Sequence, residues 1–230
     1  MDCRQNKLQK LAVQVLFMNN NLHLIASNKK ILSLYEEGAV FCAFDTETSG
    51  QNPENSNIIE IGAVKFTKDR VLEKFSSLIK AQSPLNPFIV GLTGINDKML
   101  ENAPLAEKII PEFRNFCKGT ILLAHNAQFD LRFMNAESQR LGFLPLQNSA
   151  VDTLRLSRIM LPENKSWKQT FLADQFSIDK GHAHRAFDDA KVCAEIFKIL
   201  IKMPVPQKKK KQRPRIYSEQ TYSLAVQALL

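Results

Sequence analysis

Apolar and polar residues follow two different periods along the chain. Ala39-Val-Phe-Cys-Ala-Phe44 is continuously apolar and too short for a helix, which predicts a buried strand. Ile58-Ile-Glu-Ile-Gly-Ala-Val-Lys-Phe66 and Val71–Ile79 predict two more strands, and Lys68-Asp69-Arg70 between them predicts a hairpin. Gln51–Asn57 is a polar loop. From Pro104 the period turns helical. Helices are predicted over Pro104–Phe116, Phe129–Leu141, Leu154–Met160, Ser166–Phe176 and Phe187–Ile201, with short strands at Thr120–Ala124 and Ala150–Thr153. Three leading strands, then alternating helix and strand, imply an α/β fold with a mixed sheet flanked by helices. Leu8, Leu11, Ala12, Val15 and Leu16 have helical spacing, and Ile31, Leu32 and Leu34 suggest a second short helix. Pro204 and Pro206 end the last helix. The expected division is an N-terminal helical extension over 1–38, one domain over 39–203 and a tail over 204–230.

Composition narrows the class. The 230 residues are 44% hydrophobic, enough for one cored domain with short extensions. The net charge of +8 is uneven. Residues 207–230 hold six basic side chains against Glu219 alone, a net of +5, leaving +3 for residues 1–206. Attraction to a polyanion such as nucleic acid is therefore concentrated in the tail. Cys3, Cys42, Cys117 and Cys193 form no CxxC pair, which argues against a zinc site. Three of them lie in apolar runs and read as core thiols in a reducing cytoplasm. No apolar run approaches the ~20 residues that span a membrane, and the N-terminus has no signal-like stretch. The expected location is cytoplasmic.

Three segments carry candidate chemistry. In Phe44-Asp-Thr-Glu-Thr48, side-chain alternation turns Asp45 and Glu47 to the same face. Two carboxylates side by side repel, and a divalent cation removes that cost; a solvated acidic turn is the alternative. In Leu122-Leu-Ala-His-Asn-Ala-Gln-Phe-Asp130, Asp130 shares the inward face of Phe133 and Met134, although a helix-start acid favoured by the dipole would look the same. Gly181-His-Ala-His-Arg-Ala-Phe-Asp-Asp-Ala190 offers two adjacent acids. Asp188 falls on the polar stripe of Lys191, Glu195 and Lys198, so it is expected to be solvated. Asp189 falls with Val192, Cys193 and Ile196, facing inward, where a carboxylate needs a partner. His184 is five residues before Asp189, about 140° away on a regular helix, and must reach in from a preceding loop. His182 is expected to be an ordinary surface residue.

Together these segments resemble the DnaQ-like exonucleases of the DEDD superfamily, in the subgroup with a histidine in the last motif. The matching residues are Asp45-Thr-Glu47, His125-Asn-Ala-Gln-Phe-Asp130 and His184-Arg-Ala-Phe-Asp-Asp189, with Leu92-Thr-Gly-Ile95 and Val151-Asp-Thr153 between them. The resemblance spans residues 39–202 and is strongest to the proofreading subunit of bacterial replicative polymerases and the exonuclease insert of PolC-type polymerases. It implies a ribonuclease H-like fold with a mixed five-stranded sheet. It implies two Mg²⁺ or Mn²⁺ ions held by Asp45, Glu47, Asp130 and Asp189, with His184 as the general base for hydrolysis. Histidine titrates near neutral pH, which suits that role. The terminal nucleotide would meet Thr46, Thr48, Leu92, Thr93, Asn126 and Phe129, although Leu92 and Phe129 could be core residues. The substrate implied is a 3′ end of single-stranded DNA, or of RNA with the same residues at work. A silent nucleic-acid-binding module is disfavoured by the intact acidic set. Two features depart from the pattern: the polar stretch Gln51–Asn57 lengthens the loop after the first motif, and Trp167 could stack on a base or pack partly buried.

The tail begins as a proline-bearing basic linker. Tyr222, Ala225, Val226 and Leu229 then recur at helical spacing, as in a short helix docking in a partner groove. A polymerase subunit is one candidate partner. A sliding clamp is another, because Gln220-Thr-Tyr-Ser-Leu224 distantly resembles clamp-binding peptides.

Overall fold

The computed structural model describes residues 23–206. The helix expected around Leu8–Leu16 and the whole tail segment beyond residue 206 lie outside them. Helix α1 (Asn28–Glu36) is followed by three strands, β1 (Phe41–Thr48), β2 (Ile58–Phe66) and β3 (Val71–Leu78). Two short helices, α2 (Pro87–Thr93) and α3 (Asp97–Leu100), precede α4 (Ala106–Phe116) and β4 (Ile121–Ala124). Then come α5 (Ala127–Arg140), β5 (Ala150–Asp152), α6 (Thr153–Met160), α7 (Gln169–Gln175) and α8 (Ala186–Lys202).

The five strands form one sheet in the order β3-β2-β1-β4-β5. β3, β2 and β1 are antiparallel, whereas β4 and β5 run parallel to β1. Both faces of the sheet are covered, so β1 and β2 are apolar nearly throughout rather than alternating. On one face Phe41, Ala43 and Phe66 pack against Tyr35 of α1 and Phe197 of α8. On the other, Cys42 and Phe44 pack against Phe113 of α4 and Phe133 of α5. The α1 segment is thus part of the core, and Leu24 adds a parallel bridge beside Ala150 at the β5 edge.

The sequence pattern leaves Leu85–Ile95 unassigned, but α2 forms there. Its signals are local: Asn86 caps the helix by accepting from the Phe88 N–H, Pro87 sits in its first turn, and Gly94 closes it at φ 71°. Such a short helix shows no sustained period, so only its caps reveal it. α2 and α3 enclose a small third core of Ile59, Leu85, Ile89, Ile95 and Leu100.

Two contacts fix α8 on the sheet. A Cβ at Gly62 would lie 2.0 Å from the Phe187 backbone nitrogen, so only glycine lets the helix start press directly on β2. Next to it, Glu60 is buried and accepts from Arg185 Nε and Nη2 and from the Ala186 N–H at 3.0 Å. α8 has no side-chain cap of its own. Glu60 supplies one from the sheet, placing a carboxylate at the positive end of the helix.

Candidate active site

The carboxyl ends of β1 and β4 open onto a cleft of about 310 Å³ that includes Asp45, Glu47, His125, Asn126, Phe129, Asp130, Gln169, His184 and Asp189 in its lining. In open α/β sheets this end of the strands is where ligands bind. Asp45 and Glu47 continue the β1 face that carries Phe41 and Ala43, the face covered by α8. Asp130 enters from α5 on the opposite side. Its Oδ1 accepts both the Thr46 N–H at 3.0 Å and the Thr46 hydroxyl at 2.7 Å. Asp189 stands in the first turn of α8. Thus three separate sequence segments deliver four carboxylates and two imidazoles to one place.

Helix geometry separates the two adjacent acids, but not by simple exposure. Asp189 lines the cleft, and its Oδ2 accepts from the His184 N–H at 2.8 Å. Asp188, expected to be solvated, is instead half-buried. It accepts from the His182 N–H at 2.9 Å and lies against Gly181, clamping the loop before α8, and that N–H holds its carboxyl below the ordinary range. The His182 ring is 90% exposed. His184 lies on the loop in the left-handed region at φ 61°, a conformation that costs a non-glycine residue free energy. It is exposed at the cleft rim, and one ligand atom each from Glu47, His184 and Asp189 lies within 4.8 Å of the others.

The electrostatics are those of carboxylates crowded together and shielded from water. Burial, followed by the charges of Asp130, Glu47 and Asp189, raises the Asp45 carboxyl well above its ordinary range. Burial pushes Glu47 up to about 8, with Asp189, Glu60 and Asp130 adding to it. Burial likewise pushes Asp130 up to about 7, against the lowering effect of its two Thr46 hydrogen bonds. Asp189 is also raised, chiefly by burial. Arg185, the basic neighbour that lowers Glu47, is committed to Glu60. Carboxylate oxygens in this density suit hard divalent cations such as Mg²⁺ or Mn²⁺, which would remove the mutual repulsion.

The remaining expected contacts divide into two groups. Asn126 and Phe129 line the cleft. Asn126 makes the sharp β4–α5 turn in the left-handed region at φ 70°, with its N–H donated to Asp152 Oδ1. Thr46 lines the cleft as well, but its N–H and hydroxyl are both committed to Asp130. Thr48, Leu92 and Thr93 do not line it. Thr48 donates to the Gly50 carbonyl, Thr93 is buried and donates to the Ile89 carbonyl, and Leu92 is exposed on α2. Trp167 is half-buried and donates its indole N–H to the Leu161 carbonyl. The long loop after the first motif is pinned rather than free: buried Glu137 accepts from Asn57 Nδ2 and the Ile58 N–H, and Arg140 donates to the Pro53 and Ser56 carbonyls.

Sequence reasoning missed several residues that build the site. Glu60 had a visible signal, the only charge in an otherwise apolar stretch of β2 before Lys65. His125 had its place in the second motif. Its Nε2 donates to the Trp167 carbonyl at 2.8 Å, and its Nδ1 lies 3.0 Å from Thr153 Oγ1. Burial lowers its pKa, which favours the neutral ring. Gln169 had no signal at all.

The RNase_T family model, described as Exonuclease, matches residues 42–197. The chain is 43% identical over 157 residues to the DNA polymerase III PolC-type of Caldanaerobacter subterraneus subsp. tengcongensis, covering 68% of this chain but 11% of that protein. It is 41% identical over 167 residues to the DNA polymerase III subunit epsilon of Treponema pallidum, covering 72% of this chain and 78% of the relative. Among solved structures, E. coli Exonuclease I in complex with a dT13 oligonucleotide superposes with a TM-score of 0.65 at 20% identity, over 72% of this chain and 41% of that one. The likeness to that structure is one of fold, a mixed five-stranded sheet flanked by helices as in ribonuclease H-like proteins.

Proposed function

The chain belongs to the exonuclease family, in its DnaQ-like branch, and on that premise we propose that it is a divalent-metal-dependent 3′→5′ exonuclease releasing nucleoside monophosphates from single-stranded DNA. The observation that carries this reading is the convergence of Asp45, Glu47, Asp130 and Asp189 in one cleft with His184 at its rim. These four carboxylates would hold two Mg²⁺ or Mn²⁺ ions, which supply water activation and charge stabilisation for phosphodiester hydrolysis. His184 takes the proton from the attacking water; its exposed imidazole can meet the substrate without first leaving a buried pocket. Thr46 keeps Asp130 in register, and the His184 N–H does the same for Asp189. Thr46, Asn126 and Phe129, which line the cleft, would line the path of the terminal nucleotide.

In this reading catalysis belongs to residues 39–203, preceded by the extension over 1–38 and followed by the basic tail over 204–230. The names of the two relatives support a replicative role; the tail's partner would be a polymerase subunit or a sliding clamp, and the place of work the cytoplasm. Among the described residues no helix is long and apolar enough to cross a membrane.

The test is Mg²⁺-dependent mononucleotide release from labelled DNA and RNA oligomers by the full chain and by Asp45→Ala. Release from DNA that disappears in Asp45→Ala is expected. Undiminished release by Asp45→Ala would overturn the site assignment, and faster trimming of RNA would replace the substrate.

A further inference from the structure

Gln169 opens α7, outside the three acidic motifs, yet it reaches Asp189. Its Nε2 lies 2.9 Å from Asp189 Oδ1 and 3.1 Å from the Asp189 carbonyl oxygen. Both partners are acceptors, so the amide is oriented with its nitrogen toward Asp189. The other end of the same amide is anomalous. Gln169 Oε1 is buried and, among the described residues, finds no hydrogen-bond partner. A buried carbonyl oxygen without a donor destabilises the fold. An apolar side chain of the same length would fill the space without that cost, so packing does not explain a glutamine here.

The backbone that delivers Gln169 is anchored twice. His125 Nε2 donates to the Trp167 carbonyl, and the Trp167 indole donates to the Leu161 carbonyl. His125 belongs to the same motif as Asp130. Asp189 is consequently gripped on both carboxylate oxygens, Oδ1 by Gln169 and Oδ2 by the His184 N–H. Two donors fix its rotamer while leaving acceptor capacity on each oxygen for a cation.

We propose that Gln169 is a positioning residue that holds the Asp189 carboxylate in the orientation needed to bind a divalent ion, at a cost to the stability of the fold. This rests on the reading of Asp189 as a metal ligand. The test uses the full chain and the variants Gln169→Met, which keeps the shape and drops both polar atoms, and Gln169→Leu. Three quantities are measured: Mn²⁺ affinity by calorimetry without nucleic acid, melting temperature in EDTA, and kcat and KM on a single-stranded oligomer. Loss of an outer partner should weaken Mn²⁺ binding about 10-fold or more. It should lower kcat while KM stays within about twofold. The EDTA melting temperature should equal or exceed that of the unsubstituted chain, because the orphaned oxygen is gone. Unchanged Mn²⁺ affinity in both variants overturns the proposal. So does a lower EDTA melting temperature, which marks Gln169 as a structural residue. If the unsubstituted chain releases no nucleotide, the exonuclease reading fails, while the Mn²⁺ titration still decides the role of Gln169.

Discussion

Without divalent ions, this fold should lose stability as the pH rises through neutrality. Glu47 is 8% exposed, and its carboxyl is moved from an ordinary 4.5 up to about 8, by burial first and by Asp189, Glu60 and Asp130 after it. In the unfolded chain it ionises near its ordinary value. Between those limits the folded state keeps a proton that the unfolded state releases. The stabilising contribution is therefore complete below pH 4.5 and lost as the pH climbs to about 8. At 1.36 kcal/mol per pH unit, Glu47 alone accounts for about 5 kcal/mol. Asp130, pushed up to about 7, titrates in the same cluster, so its share does not simply add. For a domain of this size about 5 kcal/mol corresponds to about 10–20 °C in melting temperature. Bound cations reverse the trend, because they require ionised ligands and bind more tightly as the pH rises. Thermal melts from pH 5 to pH 8.5 should fall steeply in EDTA and stay level or rise in saturating Mg²⁺. Glu47→Gln, which cannot ionise, should flatten the EDTA slope. An EDTA melting temperature that is constant or rises over this range would refute the reasoning.

Three substitutions separate the chemistry from its scaffold. His184→Ala should lower kcat by about 10²–10⁴-fold, while the Mg²⁺-dependent rise in melting temperature persists; retained kcat would remove His184 from the proton transfer. Gly62→Ala should destabilise by about 3 kcal/mol in denaturant titration and reduce activity with it, because its Cβ would meet the Phe187 backbone and displace the start of α8; a neutral effect would mean that α8 can shift freely. Arg185→Ala leaves Glu60 buried with, among the described residues, only the Ala186 N–H as hydrogen-bond partner. It should cost about 1–3 kcal/mol, read as a shifted urea midpoint, and an unchanged midpoint would show that the helix cap suffices.

How much was legible in the sequence depended on the range of the interactions. β2 is recovered end to end and α8 to within a residue or two, because their apolar patterns are long. Asp45, Glu47, Asp130 and Asp189 stand out because each ends or opens an element whose apolar face points the acid inward. The sequence does not expose the partners that fix them. The Thr46–Asp130, Gln169–Asp189 and Glu60–Arg185 contacts join residues 84, 20 and 125 positions apart, and no local period encodes such pairs. Asp188 shows the limit most clearly. Its stripe on α8 marks it as polar, but the left-handed turn at Gly181 brings the His182 N–H back onto it. Helical spacing cannot register a loop that folds back over the helix start.

Polarity of digestion tests the central claim most directly. A single-stranded DNA oligomer labelled at its 5′ end should shorten in Mg²⁺ through a ladder of one-nucleotide steps from the 3′ end, and remain intact in EDTA and with Asp45→Ala. Immediate release of the labelled nucleotide, internal cleavage, or a ladder that persists in EDTA would contradict it.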